Sequence, residues 1–227
     1  MRTECNRLTR QVAFTAIVTA SLGLVGAQPV WSQQSGATDS PHPQGGEHAH
    51  HRQMMRQTGY ERTEQSYVVP DVVLRDQEGR RVNLAKALAD PKPVVLSFIF
   101  TSSTTICPVL SATLAQTQQS LGPDADGVRI LSISIDPDYD TPARLQQYAQ
   151  RFHAGEGWEF LTGDRADILA VQRAFDAYRG DKMNHVPLTF LRFEPQGPWI
   201  RLEGFAGAEA LVQEYRRHEV NRNSGAT

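Results

Sequence analysis

Cys107 is the residue whose type and position most directly suggest chemistry. It follows Val94–Phe100, a nearly continuous apolar run, and stands one residue before Pro108, where a helical pattern begins. The backbone amides and the dipole at the start of a helix stabilise a thiolate and lower the pKa of a thiol there. This position favours metal or redox chemistry. The alternative is a small buried cysteine that only packs against a sheet.

A methionine and a histidine lie ahead of a later predicted strand. Met183 and His185 precede Pro187, which is followed by the apolar run Leu188–Phe193. Thioredoxin-like domains place a cis-proline loop at such a position, so we expect His185, and with it Met183, to approach Cys107. Thiolate and imidazole suit copper, and a thioether adds affinity for Cu(I). The alternative is that His185 only forms a hydrogen bond within its loop.

An acidic residue ends another predicted strand. Asp136 follows Val128–Ile135 and would lie at the carboxyl edge of the sheet, where α/β folds place their sites. Because Pro137 comes next, the same residue is also typical of an ordinary turn before a helix. On its own, this segment does not decide between the two interpretations.

Hydrophobic periodicity and turn residues predict the elements that must position these side chains. The predicted strands are 67–69, 72–74, 94–100, 128–135, 158–161, 188–193 and 199–202, and the predicted helices are 84–88, 108–121, 142–152, 165–178 and 208–217. Strands and helices alternate in this order, and crossover helices must cover both faces of parallel strands. We therefore predict an α/β fold with a central mixed β-sheet flanked by helices on both faces.

The amino terminus indicates an exported protein. Three arginines precede the uncharged run 12–27, which ends in small residues, so residues 1–27 read as a secretory signal peptide. The run is shorter than the ~20 residues that cross a bilayer, so cleavage is favoured and an uncleaved membrane anchor is the alternative. The expected location is the periplasm or another extracytoplasmic compartment. Cys5 would leave with the signal, and Cys107 would be the one cysteine of the mature chain.

Residues 28–60 are predicted to form a disordered linker, because they are rich in Gln, Gly, Ser, Pro and His and have almost no aliphatic side chains. The linker contains a compact set of metal-binding side chains: His48, His50, His51, Met54 and Met55. Imidazole accepts Cu(II) and thioether accepts Cu(I), so this set is typical of copper collection. The alternative is a solvated linker with incidental histidines. The folded domain is expected over 61–218, followed by a flexible tail over 219–227.

In combination, these motifs resemble the Sco/SenC family. That family carries two cysteines separated by three residues and followed by proline, then an aspartate–proline turn with a following Asp-Thr-Pro, then a histidine; the resemblance covers about 67–217. It implies a thioredoxin-like fold and a copper ion bound by both cysteines and the histidine. By position, Cys107 is the second cysteine and His185 the histidine, with Asp136 near the site. The first cysteine falls on Ser103.

Ser103 changes what the resemblance implies. A serine hydroxyl is a poor ligand for Cu(I) and cannot form the disulfide through which family members also act as thiol reductants. We expect a metallochaperone rather than a catalyst, one that handles Cu(I) for cytochrome c oxidase assembly or for periplasmic copper homeostasis, with impaired disulfide chemistry. Met183, Asp136 and Ser103 are further candidates for ligands or for their immediate neighbours.

The resemblance also implies partners. They are a copper-receiving protein such as a cytochrome oxidase subunit, and a protein that exchanges thiols and disulfides. The formal net charge of −2 gives no indication of nucleic acid binding.

Two other functions remain open. The segment Thr104–Pro108 also resembles the threonine, two residues, cysteine and proline of peroxiredoxins, in which a lone thiolate attacks peroxide. The proline that normally precedes the threonine by four residues is Phe100 here, and no arginine is evidently placed to activate the thiolate. The third hypothesis is a copper-free relative that only docks to an assembly partner.

Overall fold

The computed structural model describes residues 59–224, which fold around eight strands and five α-helices. The strands are β1 (Tyr60–Gln65), β2 (Val73–Arg75), β3 (Arg81–Asn83), β4 (Val94–Ile99), β5 (Arg129–Ser134), β6 (Trp158–Leu161), β7 (Leu188–Arg192) and β8 (Trp199–Gly204). The helices are α1 (Leu84–Leu88), α2 (Ile106–Leu121), α3 (Pro142–Arg151), α4 (Arg165–Ala174) and α5 (Ala208–Ser224). Short 3₁₀ helices span Gly122–Gly127 and Lys182–Asn184.

Six of the strands form one mixed sheet in the order β1-β8-β7-β4-β5-β6. The pairs β4–β5 and β5–β6 are parallel, and the pairs β1–β8, β8–β7 and β7–β4 are antiparallel. The strands β2 and β3 form a separate antiparallel hairpin. Because β7 runs against β4 and β5, the start of β7 lies at the same edge of the sheet as the ends of β4 and β5.

Strand β4 lies near the middle of the sheet and is buried along its whole length. Its residues alternate between two cores, as the twofold repeat of a strand requires. Leu96 and Phe98 pack with residues of α1 and α4, while Val95 and Ile99 pack with residues of α2, α3 and α5. Helices therefore cover both faces, and the predicted α/β architecture with a mixed sheet is confirmed.

The first strand of the domain differs from the one that the sequence predicts. No strand forms over 67–69; instead, the first strand is Tyr60–Gln65, which begins inside the predicted linker and pairs with β8 at the sheet edge. Five of its six residues are exposed, so its sequence lacks the apolar alternation that marks a half-buried strand. Tyr67 does not lie in a strand; its ring packs against Phe175, with the ring centroids 5.1 Å apart.

Three helix boundaries also differ from the prediction by two residues or more. Helix α2 begins at Ile106, so that Cys107 lies within its first turn rather than before it. Helix α4 ends at Ala174, where the backbone turns through Asp176 with a positive φ of 48°. Helix α5 continues to Ser224, so residues 219–224, predicted as part of a flexible tail, are helical.

Several predictions concern the loop before β7 and the amino terminus. All peptide bonds in the described part of the chain are trans, so the predicted cis-proline loop is not present at Pro187.

The predicted signal peptide and the linker residues His48, His50, His51, Met54 and Met55 lie outside the described residues. None of the helices between residues 59 and 224 is long and apolar enough to span a membrane.

Candidate metal centre

Cys107 lies in the first turn of α2, immediately behind the end of β4. Its side chain is fully buried, and its sulfur accepts a hydrogen bond from the backbone N–H of Phe100 at 3.4 Å. The backbone N–H of Cys107 donates to the hydroxyl of Ser103, also at 3.4 Å. The N-cap residue Thr105 makes no side-chain hydrogen bond to the free amides at the helix start. The Ser103 hydroxyl takes this part by accepting from the N–H of Cys107.

The pKa of the Cys107 thiol is raised rather than lowered, contrary to the expectation from its position at a helix start. Burial is the largest cause, and the negative charge of Asp140 adds to it. Hydrogen bonds from the Phe100 backbone and the Ser103 side chain act in the opposite direction and do not compensate. The metal-free thiol is therefore protonated at neutral pH, and metal binding would have to displace that proton.

His185 is the second buried side chain at this edge, only 5% exposed. Burial lowers its pKa to about 4, with a further contribution from the charge of Arg179. The ring forms a hydrogen bond with the backbone of Phe98, while Nε2 is buried without any partner among the described residues. The imidazole is therefore neutral at physiological pH, and no group between residues 59 and 224 uses the lone pair of Nε2.

Both residues contact the end of β4. The sulfur of Cys107 accepts from Phe100, and the ring of His185 lies edge-on to the ring of Phe100 with the centroids 6.3 Å apart. A thiol and a neutral imidazole nitrogen are donors that Cu(I) accepts, and the unused Nε2 is the observation that most directly indicates a missing ligand. The residues present therefore fit a copper ion.

The other candidate ligands lie in different surroundings. The hydroxyl of Ser103 faces Cys107, with which it shares hydrogen bonds. Met183, in contrast, is 74% exposed. No group of three His, Cys, Asp or Glu side chains suited to a metal ion occurs between residues 59 and 224, so Cys107 and His185 have no third ligand of these types.

Asp136 is engaged by a cation. Its carboxylate accepts a 2.5 Å hydrogen bond from the ammonium group of Lys182, and its backbone N–H donates to the hydroxyl of Ser134. The ammonium group of Lys182 also lies 5.7 Å from the ring centroid of Phe100. Asp136 therefore ties the turn after β5 to the segment that carries His185.

Asp140 is a site residue that the sequence prediction missed. It is fully buried and accepts hydrogen bonds from the backbone N–H and the hydroxyl of Thr101, the latter at 2.5 Å, and from the hydroxyl of Ser134 at 2.6 Å. Its charge acts on the Cys107 thiol. An available signal was Asp140 in the Asp-Thr-Pro segment that follows the Asp136–Pro137 turn, which we used only as part of the family resemblance.

Comparison with family models finds a match over most of the described residues. The model described as SCO1/SenC aligns with residues 60–213, which is more than half of the chain and includes every described residue of the candidate site. The resemblance drawn from the sequence motifs is thereby confirmed.

Individual relatives agree with this assignment. A protein described as a SCO1 protein homolog from Bacillus subtilis is 33% identical over 99 residues, a match that spans 43% of this chain and 50% of that protein. The structure of Bradyrhizobium japonicum ScoI with copper bound aligns with a TM-score of 0.55 and 27% identity, covering 66% of this chain and 98% of the other. BsSco, described as a member of the Sco family of cytochrome c oxidase assembly proteins with a disulfide switch, aligns with a TM-score of 0.58 and 27% identity over 68% and 95% of the two chains.

Proposed function

We propose that this chain, which belongs to the SCO1/SenC family, binds Cu(I) through Cys107 and His185 and passes it to a copper-receiving protein. The observation that carries the proposal is the buried Nε2 of His185, which has no hydrogen-bond partner among the described residues, although both its ring and the Cys107 thiol contact Phe100. A buried polar atom of this kind requires an explanation, and a bound metal ion supplies one. Copper is in this view the cargo of the protein.

The chemistry of the two ligands supports Cu(I). A thiolate is a soft ligand and an imidazole is intermediate, and this combination suits copper better than the hard cations that prefer oxygen. That Bradyrhizobium japonicum ScoI has been solved with copper bound gives independent support. Because Cys107 is protonated in the metal-free state, uptake releases one proton and release of the metal takes one up.

Ser103 restricts what else the protein does. BsSco is described as having a disulfide switch, which requires two thiols. The described residues hold a single cysteine, so an intramolecular disulfide cannot form at this site. We infer that the chain handles metal without that switch, and that the exposed Met183 or the histidines of the linker complete the coordination of copper during transfer.

We infer the destination of the copper from the description of a relative. BsSco is described as belonging to a family of cytochrome c oxidase assembly proteins, so we infer that the recipient is a copper-binding oxidase subunit, with periplasmic copper homeostasis as the alternative. The signal peptide predicted over residues 1–27 supports an extracytoplasmic location.

A thiol peroxidase is the weaker candidate. Peroxide attack requires an accessible thiolate, and Cys107 is fully buried with a raised pKa. The raised pKa does not exclude a metal site, because a bound metal ion replaces the proton of the thiol.

Metal analysis tests the proposal. The full chain, purified from copper-supplemented cells under reducing conditions, should contain copper, and His185→Gln should contain less, because glutamine keeps a hydrogen-bond donor but lacks a ligand of comparable strength. Copper absent from the parent protein would favour the copper-free binding relative, whereas copper present equally in both proteins would show that His185 is not a ligand.

A further inference from the structure

Asp140 has no part in the proposed function, although it lies beside the metal centre. Its side chain is fully buried, and every described group that forms a hydrogen bond with the carboxylate is a donor. The donors are the backbone N–H and the hydroxyl of Thr101 and the hydroxyl of Ser134. Donors of this kind favour the ionised carboxylate, so Asp140 holds a negative charge in the protein interior.

This carboxylate has no cationic partner, since no Lys, Arg or His side chain between residues 59 and 224 forms an ion pair with it. The pKa of Lys182 is raised mainly by its 2.5 Å hydrogen bond with Asp136, and only in smaller part by the charge of Asp140. The start of α3, which follows Asp140, contributes only the partial positive charge of a helix end. Buried charges in folded proteins are paired or coordinate metal ions, so Asp140 lacks a counter-charge.

Backbone geometry places this charge close to the proposed ligand Cys107. The backbone N–H of Phe100 donates to the Cys107 sulfur at 3.4 Å. The next N–H along the chain, that of Thr101, donates to the carboxylate of Asp140 at 3.1 Å. Successive backbone nitrogens are no more than ~3.8 Å apart, so the sulfur and the carboxylate lie within ~10 Å of each other. Both side chains are fully buried, and salt screens buried charges much less than exposed ones.

We propose that Asp140 determines the charge preference of the metal centre, an inference that rests on the proposed function. A metal ion bound by Cys107 and His185 lies near the buried carboxylate, which attracts a divalent ion about twice as strongly as a monovalent one. Asp140 therefore raises the affinity of the centre for divalent ions relative to monovalent ions, while the soft thiolate favours Cu(I). Cys107 and His185 form the bonds to the metal, and Asp140 acts on it through space.

The charge of Asp140 affects the absolute affinity for a metal in two opposite ways. It attracts the bound ion, but it also adds to the effect of burial in raising the pKa of the Cys107 thiol, whose proton the metal must displace. A monovalent and a divalent ion displace the same proton. The ratio of their two affinities therefore isolates the attraction between Asp140 and the metal.

Competition between silver and cobalt measures this ratio. All proteins are the full chain with Cys5→Ser, so that Cys107 is the only thiol. Co(II) bound to the Cys107 thiolate gives a thiolate-to-metal absorption band, and Ag(I) removes this band as it displaces the cobalt. In Asp140→Asn, half-displacement should require a free silver concentration at least about fivefold lower than in the parent protein, because the divalent ion loses more attraction than the monovalent one.

The choice of variants separates charge from structure. Asp140→Asn keeps the size of the side chain, and its amide can donate to Ser134, because a hydroxyl both donates and accepts. Thr101→Val removes the 2.5 Å hydrogen bond of the Thr101 hydroxyl but leaves the carboxylate. Asp138→Asn removes a charge that is 59% exposed, two residues before Asp140. Both of these controls should need the same free silver as the parent, whereas an effect of packing would appear in Thr101→Val as well.

A measurement on the parent protein needs no change at Asp140. Paramagnetic relaxation by bound Co(II) should place the carboxyl carbon of Asp140 within ~12 Å of the metal, since a metal–sulfur bond adds only ~2.3 Å to the separation from the sulfur. A larger separation, or the same silver requirement in the parent and in folded Asp140→Asn, would overturn this inference and leave the proposed function standing. Absence of the cobalt–thiolate band in the parent would overturn the proposed function and this inference with it.

Discussion

At the scale of single residues, burial shifts the pKa values of the two proposed ligands in opposite directions and leaves both side chains neutral. His185 loses affinity for protons and is neutral, while Cys107 becomes a weaker acid and keeps its proton. Their positions could be predicted from motifs, because a cysteine near a helix start and a histidine before a strand are local features. Their pKa values and the involvement of Asp140 could not be predicted from motifs, because these properties depend on which side chains the fold buries together.

The lowered pKa of His185 predicts acid sensitivity of the metal-free protein. As pH falls below the ordinary value of 6.5 the unfolded chain takes up a proton, whereas the folded chain resists until about pH 4. The contribution of the neutral histidine to stability is therefore complete above pH 6.5 and is lost between 6.5 and about 4, by up to about 3 kcal/mol.

Urea unfolding at several pH values measures this effect. His185→Gln should lose less stability than the parent protein between pH 6.5 and 4, while His153→Asn, at an exposed histidine with a positive φ of 52° that asparagine tolerates, should behave as the parent does. Parallel pH profiles for the parent and His185→Gln would contradict the assignment of a buried neutral imidazole.

Ser103→Cys should restore a second thiol at the metal centre, since the Ser103 hydroxyl already faces Cys107. When oxidised, the variant should lose free thiol without forming dimers. When reduced, it should bind Cu(I) at least about tenfold more tightly, because a thiolate replaces a hydroxyl or water.

The matched control is Ser102→Cys, one residue earlier and exposed, which should gain neither property. Thiol counting, size-exclusion chromatography and competition with a Cu(I) chelator provide the readouts. If both thiols of Ser103→Cys stay free under mild oxidation and copper affinity does not change, residues 103 and 107 do not share one site.

At the scale of elements, the candidate site depends on three segments that meet at one edge of the sheet. They are the end of β4, the turn after β5 and the 3₁₀ helix before β7. Lys182 joins them, because its ammonium group binds Asp136 and lies over the Phe100 ring, while its backbone carbonyl accepts the N–H of His185. We therefore expect the Lys182–Asp136 pair to hold the His185 segment in place.

Lys182→Met tests this tie. The variant keeps the aliphatic chain and removes the charge, so the backbone amides of residues 183–185 should exchange with solvent about fivefold faster in the metal-free protein. Lys86→Met, at an exposed position of α1, is the control and should leave these amides unchanged. Equal exchange rates in parent and Lys182→Met would show that other contacts hold this segment.

The elements differ in how far their sequences predict them. The bounds of α1 and β6 match the prediction fully, since α1 has Asn83 as a capping residue and β6 is a short, mostly apolar segment between turns. In contrast, β1 is defined by its backbone pairing with β8, and its exposed polar residues carry no strand signal. The last turns of α5 are similarly polar and were predicted as tail.

At the scale of the whole molecule, topology places the chemistry at one edge. The parallel strands β4 and β5 end at the edge of the sheet where the antiparallel strand β7 begins. Cys107 and His185 are 78 positions apart along the chain, yet both contact the residue that follows β4. The order of strands and helices could be predicted from periodicity. The approach of His185 to Cys107 was expected by analogy with thioredoxin-like domains, whereas the place of Asp140 beside Cys107 depends on strand order, which the sequence pattern does not provide.

The amino-terminal linker is predicted to bind copper separately from the domain. His48, His50 and His51 with Met54 and Met55 form a compact set of nitrogen and sulfur ligands. Replacing the histidines with asparagine and the methionines with leucine in the full chain should lower the copper stoichiometry without changing the domain site. An unchanged stoichiometry and affinity would show that these residues are only linker.

The central claim is that Cys107 and His185 bind Cu(I) in the folded domain, and a competition titration against a Cu(I) chelator tests it most directly. The parent for this experiment is the full chain with the five linker ligands replaced, so that only the domain site remains. We predict one copper per chain for this parent and none for the same chain carrying Cys107→Ala, with near-ultraviolet circular dichroism showing that the fold is retained. Tight binding of one copper per chain by the Cys107→Ala protein would contradict the claim.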